Sequence, residues 1–245
     1  MPSFSRRAAL FAAGFVAPAA LAAQDPAPTV TFDQVAGSLK PGTWTWSATL
    51  NTNGQAQDFG SRTVTLQKSK AGDSWMLLDA QANATVSMSD TLVLSAADLG
   101  PMRRSFKMDS PMGSASLALS YTADSVTGAL QAPGQNQTIA AKNPKGTLSN
   151  DGLLLLALGR LPLAAGWTGQ VNMLNPANGG LVPLTLKVTG NEKVSVPAGS
   201  FDTWVVDAQG GPGPVTFYVS KDGPVVRVVQ SVPQMGGRVE SVLTK

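Results

Sequence analysis

Strict two-residue alternation between Gly42 and Leu50 constrains this chain most. Trp44, Trp46, Ala48 and Leu50 fall on one face, and Thr43, Thr45, Ser47 and Thr49 on the other. Period-two patterning rich in Trp and Thr requires a half-buried β-strand and excludes a helix. The rhythm then recurs. Arg62–Lys68 alternates with Val64 and Leu66 inward, and Ala71-Gly72-Asp73 turns the chain into Ser74–Leu78. Further strands are expected at Thr85–Met88, Thr91–Leu94, Arg103–Met108, Ser114–Tyr121 and Ser125–Leu130. A second series is expected at Gly169–Leu174, Val182–Asn191, Phe201–Gln209, Val215–Ser220, Val225–Val232 and Arg238–Leu243. Gly, Pro, Asn and Asp punctuate these runs, as in a meandering antiparallel sheet.

One segment breaks the rhythm. After Asn150-Asp151-Gly152, the residues Leu153, Leu154, Leu155, Leu156, Ala157, Leu158 and Leu161 form the most apolar stretch beyond the N-terminus. Asp151 is the candidate cap of a short helix that Pro162 or Gly166 ends. Eleven helical residues rise only about 16 Å, too little to cross a bilayer. Apolar on almost every side, such a helix must be buried, either as an ordinary core helix or as a lid over a ligand cavity. The fold class expected is therefore mainly β: a curved antiparallel sheet or half-barrel with one short buried helix near 151–163.

The N-terminus reads as an export signal. A basic start with Arg6-Arg7, an uncharged apolar run from Ala8 to Ala22 and the small residues Ala20-Leu21-Ala22-Ala23 define a secretory signal peptide over 1–23. Ser5-Arg6-Arg7 with Leu10-Phe11 resembles a twin-arginine signal, although Ala9 stands where that signal prefers Phe; the general secretory route is the alternative. Residues 24–41, with Asp25-Pro26-Ala27-Pro28, read as a linker that includes a short strand or turn of helix, and 42–245 as a single β domain. Localisation is expected to be periplasmic or extracellular, in a bacterium. No cysteine follows the signal, so no acylation is expected there, and no disulfide is available. The chain carries 18 basic and 15 acidic residues, and without Arg6 and Arg7 the count is 16 against 15. So balanced a domain has no electrostatic footprint for nucleic acid.

Composition also limits the chemistry. With no His and no Cys, nucleophile systems built on imidazole or thiol and His/Cys zinc sites are excluded. No Ser-x-x-Lys, G-x-S-x-G or phosphate-loop ending is present. Asp202, Asp207, Asp222 and Glu240 remain as candidate carboxylates, and their places beside turns read as solvated loop positions. No metal and no cofactor is expected. The tryptophans Trp44, Trp46, Trp75, Trp167 and Trp204 and the methionines Met76, Met88, Met102, Met108 and Met112 are core fillers or the lining of an apolar site. Trp44, Trp46, Leu154, Leu158 and Trp204 are the candidate ligand-binding residues.

Several segments carry a resemblance. They are Asp90-Thr91-Leu92-Val93-Leu94 with Asp98-Leu99-Gly100-Pro101-Met102-Arg103, Leu119-Ser120-Tyr121 with Val126-Thr127-Gly128, and Leu161-Pro162-Leu163-Ala164-Ala165-Gly166. The most telling is Glu192-Lys193-Val194-Ser195-Val196-Pro197-Ala198-Gly199-Ser200-Phe201-Asp202-Thr203-Trp204, followed by Phe217-Tyr218-Val219-Ser220-Lys221-Asp222-Gly223-Pro224-Val225-Val226-Arg227, and the specific part is Pro197–Thr203. Together, over roughly Gly42 to Val242, they resemble the domain-of-unknown-function 3108 type, which is similar in pattern to curved half-barrels of the periplasmic lipoprotein-carrier kind. Lys221 departs from the acidic or polar residue usual there. The resemblance implies the fold and export and supplies no catalytic residues. The expectation is a non-enzymatic exported envelope protein that shelters a lipid or other apolar ligand. The alternative is a structural or protein-binding module of the envelope.

Overall fold

The computed structural model describes residues 27–175, 180–211, 213–221 and 223–245. The expected signal peptide and the candidate Asp222 lie outside them. The strands are β1 (Gly42–Thr52), β2 (Gln55–Lys68), β3 (Ser74–Ala82), β4 (Ser87–Ser95), β5 (Pro101–Ser110), β6 (Gly113–Tyr121), β7 (Ser125–Ala132), β8 (Gln135–Lys142), β9 (Thr147–Leu148), β10 (Thr168–Leu174), β11 (Leu181–Val196), β12 (Gly199–Gln209), β13 (Val215–Ser220), β14 (Val225–Val232) and β15 (Gly237–Leu243). Two short α-helices accompany them, α1 (Asp33–Ala36) and α2 (Asp151–Ala157). No helix among the described residues is long and apolar enough to cross a membrane.

All 15 strands belong to one sheet, ordered β8-β7-β6-β5-β4-β3-β2-β1-β15-β14-β13-β12-β11-β10-β9. Two up-and-down meanders therefore meet at the centre, where β1 pairs with β15 antiparallel from Trp46↔Leu243 to Thr52↔Gly237. Laid flat, such a sheet would be about 67 Å wide. Yet its outermost strands, β8 and β9, are joined only by residues 143–146, a connection reaching at most about 18 Å. The sheet must curl until its edges nearly meet.

Helix α2 runs inside that curl. With the 3-10 turn Leu158–Arg160 that extends it, it is only about 15 Å long. Its start lies against β3, where a Cβ on Gly152 would sit 2.8 Å from Asp79 Oδ2. Its end lies against β13, where a Cβ on Gly159 would sit 2.1 Å from Gly223 O and 2.8 Å from Ser220 O. Those strands are five places apart in the sheet, about 24 Å along a flat surface. The helix is thus a chord across the concave side, and glycine at each end permits the approach. Leu153, Leu154, Leu155, Leu156 and Leu158 are all buried and join Trp46, Val64, Leu66, Leu77, Leu92, Val206 and Val226 in the main core. Full burial of each leucine contributes about 1.5–3 kcal/mol.

Four details differ from the sequence expectation. The cap is Asn150, not Asp151: its side chain accepts from Gly152 N, while Asp151 opens the helix. The segment expected as a linker is, from Pro28 on, built into the fold. Thr29 bridges Gln170, and Val30, Phe32, Val35, Ala36 and Leu39 are core residues. The runs expected at Thr85–Met88 and Thr91–Leu94 fall on one strand, β4, which starts only at Ser87, because Ser89-Asp90 continues the ladder to β3. Strand β8, not foreseen, has a single large aliphatic residue, Ile139; backbone pairing with β7 forms it where side-chain alternation gives no cue.

Candidate functional site

The strands beside the start of α2 carry charge on their inward faces. On β2, Arg62 shares a face with Val64 and Leu66. On β3, Asp79 follows Trp75 and Leu77, and on β4, Asp90 precedes Leu92 and Leu94, all buried. The register sets Asp79 directly opposite Asp90. Two carboxylates on neighbouring strands repel unless cations and donors surround them, and here they do.

Arg62 grips two carboxylates at once. Its Nε and Nη2 donate to Asp79 Oδ1 and Oδ2 at 2.9 and 2.6 Å, and its Nη1 and Nη2 to Asp151 Oδ2 and Oδ1 at 3.0 and 2.7 Å. Arg104 on β5 donates from Nε to both oxygens of Asp90, at 3.1 and 2.9 Å, and places Nη2 2.7 Å from Oδ2. Its Nη1 donates to Ser149 O, and Ser149 Oγ is hydrogen-bonded to the Tyr121 hydroxyl. Asn150 joins the halves: Nδ2 donates to Asp79 Oδ2 at 3.3 Å and to Asp90 Oδ2 at 2.6 Å, and Oδ1 accepts from Gly152 N. Such bidentate, charge-assisted contacts are geometrically specific.

Arg62 and Asp151 hold each other charged. Burial pushes Asp151 up, but the Arg62 charge and its hydrogen bonds outweigh this and hold the carboxyl below its usual range. Burial pulls Arg62 down, and the carboxylates of Asp151 and Asp79 more than restore it, so the guanidinium stays charged. Burial raises the Tyr121 phenol. Every oxygen of Asp79, Asp90 and Asp151 meets a guanidinium or amide donor. The arrangement therefore ties residues 149–152 to five strands, β2 to β6, and it offers neither a free base nor an exposed nucleophile.

The five candidate ligand-binding residues belong to the main core or its margin. Trp46, Leu154 and Leu158 are buried in the main core, and Trp44 and Trp204 pack on its margin. Trp46 Nε1 donates to Val225 O at 2.9 Å, and Lys221 Nζ lies 4.6 Å from the Trp204 ring centre. Here α2 packs as part of the main core. The late carboxylates are scattered: Asp207 accepts from Thr216 Oγ1 at 2.8 Å, Glu240 pairs with Arg227 at 2.7 Å, and Asp202 is exposed. Among the described residues no group of three His, Cys, Asp or Glu side chains could hold a metal ion.

A cavity of about 450 Å³ opens at one end of the barrel, lined by Phe32, Leu99, Tyr121, Asn143 and Lys145 among others. Lys145 Nζ bridges its rim to Asp33 Oδ2 at 3.0 Å, and the Thr31 hydroxyl, then Lys145, hold Asp33 down to about 2. The sequence carried a signal for the buried charges, in Arg62, Asp79 and Asp90 at core-facing places in apolar runs. It carried none for the cavity, which four distant segments build.

The family model described as protein of unknown function (DUF3108) matches residues 29–244. No curated protein matches the chain. Among solved structures, a β-barrel-like protein of domain of unknown function DUF1849 from Brucella abortus is similar, with a TM-score of 0.56 at 12% identity, covering 84% of this chain and 97% of that one. A candidate exported protein with a YmcC-like fold from Bacteroides fragilis covers 83% of this chain and 93% of its own at 11% identity, with a TM-score of 0.29. A candidate lipoprotein from Parabacteroides distasonis covers 84% and 95% at 12% identity, with a TM-score of 0.28. The first supports the barrel-like fold.

Proposed function

This chain belongs to the DUF3108 family of proteins of unknown function, and from that premise we propose that it is a non-enzymatic, exported envelope protein that shelters an apolar ligand. One observation carries the reading: a leucine-rich helix fills the concave side of a curled sheet, and polar groups tie its first turn. A helix held in that way is a plug, and the space it fills is a ready apolar interior. Arg6-Arg7, the uncharged run to Ala22 and its small-residue end support export. The engagement of every buried carboxylate and the lack of imidazole and thiol support a holding role over a transforming one. Binding would draw on apolar burial at about 25 cal/mol per Å².

Native mass spectrometry after mild purification tests this, together with uptake of the neutral fluorescent probe N-phenyl-1-naphthylamine. The expected result is a mass above that of the bare chain, lost on extraction with organic solvent, and probe fluorescence on refilling. A bare mass with no probe uptake would sink the proposal. A second reading, a protein-binding module of the envelope, is favoured by the outer edge of β8, which pairs with no strand among the described residues. One dominant partner in cross-linking within cells, with no ligand, would select it.

A further inference from the structure

The two edges of the sheet do not merely approach: they overlap. On β10, Val171 and Met173 face the main core, where Val171 is opposite Leu184 and Met173 opposite Val182. Leu174, paired with Leu181, has the opposite parity and must face the other way. Both belong to a second apolar cluster with Leu117, Leu119, Val126 and Ile139 of β6, β7 and β8. Leu119 sits opposite Arg104 and Leu117 opposite Phe106, so these residues lie on the inner face that carries the buried charges. The upper end of β10 and β11 is therefore tucked beneath β6–β8, as in a scroll.

Among the described residues, side-chain packing and the 143–146 connection close this overlap. No ladder among the described residues joins β8 to β9 or β10, so parting the edges breaks no sheet hydrogen bond, unlike parting any other neighbouring pair. The 450 Å³ cavity lies at the foot of the same seam, lined by residues 121–123 and 143–147. Tyr121 is common to both, packing on the second cluster and lining the cavity. Asn143, also in the lining, donates from Nδ2 to Thr122 O at 2.7 Å, but its Oδ1 is buried without a donor.

We propose that the seam is where the ligand enters and lodges, and that the ligand is a single-chain amphiphile with a hydrogen-bond-donating head. Its acyl chain takes the place of Leu174 and Leu181 against Leu117, Leu119, Val126 and Ile139, exchanging one aliphatic surface for another. Its hydroxyl-bearing head sits in the cavity and supplies the donor that Asn143 Oδ1 lacks. This rests on the ligand-sheltering reading and gives it a place and a ligand class.

A neutral C16 monoacylglycerol bearing a mid-chain diazirine, irradiated with the purified chain, tests it directly. Labelled residues should come from 117–121, 126–130, 139–143, Leu174 and Leu181, at about tenfold the yield found on 153–158, the ratio a single order of affinity gives. Replacing Leu174 and Leu181 together by Ser should speed probe uptake while the circular-dichroism spectrum stays unchanged. Labelling concentrated on 153–158 and the strands around it would overturn the seam and leave the ligand-sheltering role standing. Labelling spread over the outer surface would also overturn the seam, and no labelling at all would overturn both.

Discussion

Asn150 separates two roles that a single residue usually leaves mixed. As a helix cap, Asn and Asp are equivalent, so on capping alone Asn150→Asp would be neutral. Here Nδ2 donates to Asp79 and Asp90 together, and a carboxylate in its place adds a third buried negative charge. Asn150→Asp is expected to cost about 3 kcal/mol at neutral pH, as uncompensated buried charges do, and to recover part of it in acid. Urea unfolding at pH 7 and pH 4.5 reads both; a neutral effect at pH 7 would show that the amide is only a cap. Asp151 gives the complementary prediction. Its folded pKa lies below the ordinary value, so its contribution is full above about 3.9 and is lost as pH falls through the lower folded value. The melting temperature of the native chain should therefore fall more steeply than that of Asp151→Asn between pH 5 and pH 2.5. These charges were readable in principle, since Arg62, Asp79 and Asp90 stand on the parity of buried Val64, Leu77 and Leu92. What they bind was not readable, because parity says that a charge faces inward but not what meets it there.

At the scale of elements, α2 shows how much a composition anomaly can disclose. Its leucines required burial and its length forbade a membrane span, and both follow without coordinates. Its route across the curl does not, because that depends on the strands at each end. The two glycines mark the route. Gly159→Ala would drive a Cβ into two carbonyl oxygens of the β13–β14 turn, and backbone cannot yield as a side-chain tip can. An expected loss of about 2 kcal/mol, within the range for overpacked interiors, should appear in urea unfolding, whereas Ala157→Gly would act through helix propensity and one lost methyl. Strand β8 is the opposite case. Gln135–Lys142 has almost no apolar alternation, so only its hairpin partner, through the ladder from Ser125↔Lys142 to Ala132↔Gln135, makes it a strand.

For the whole molecule, the order of strands divides strong closure from weak. The back of the barrel is made by β1 and β15, from opposite ends of the domain, with a continuous antiparallel ladder and Trp46 beneath it. The front is the seam, where one edge slides under the other and apolar packing, not a ladder, lies between them. Local opening follows the elements with the fewest backbone bonds to break. Native-state hydrogen exchange should therefore find 135–142 and 147–148 opening well before 42–52 and 237–243, with the difference surviving at denaturant concentrations below the unfolding transition. Bound probe should slow exchange on 135–142 and leave the back unchanged, because a ligand that binds only one state protects what that state closes. Exchange of all four segments in a single cooperative step would mean that the scroll behaves as a sealed barrel, and the front would then be no weaker than the back.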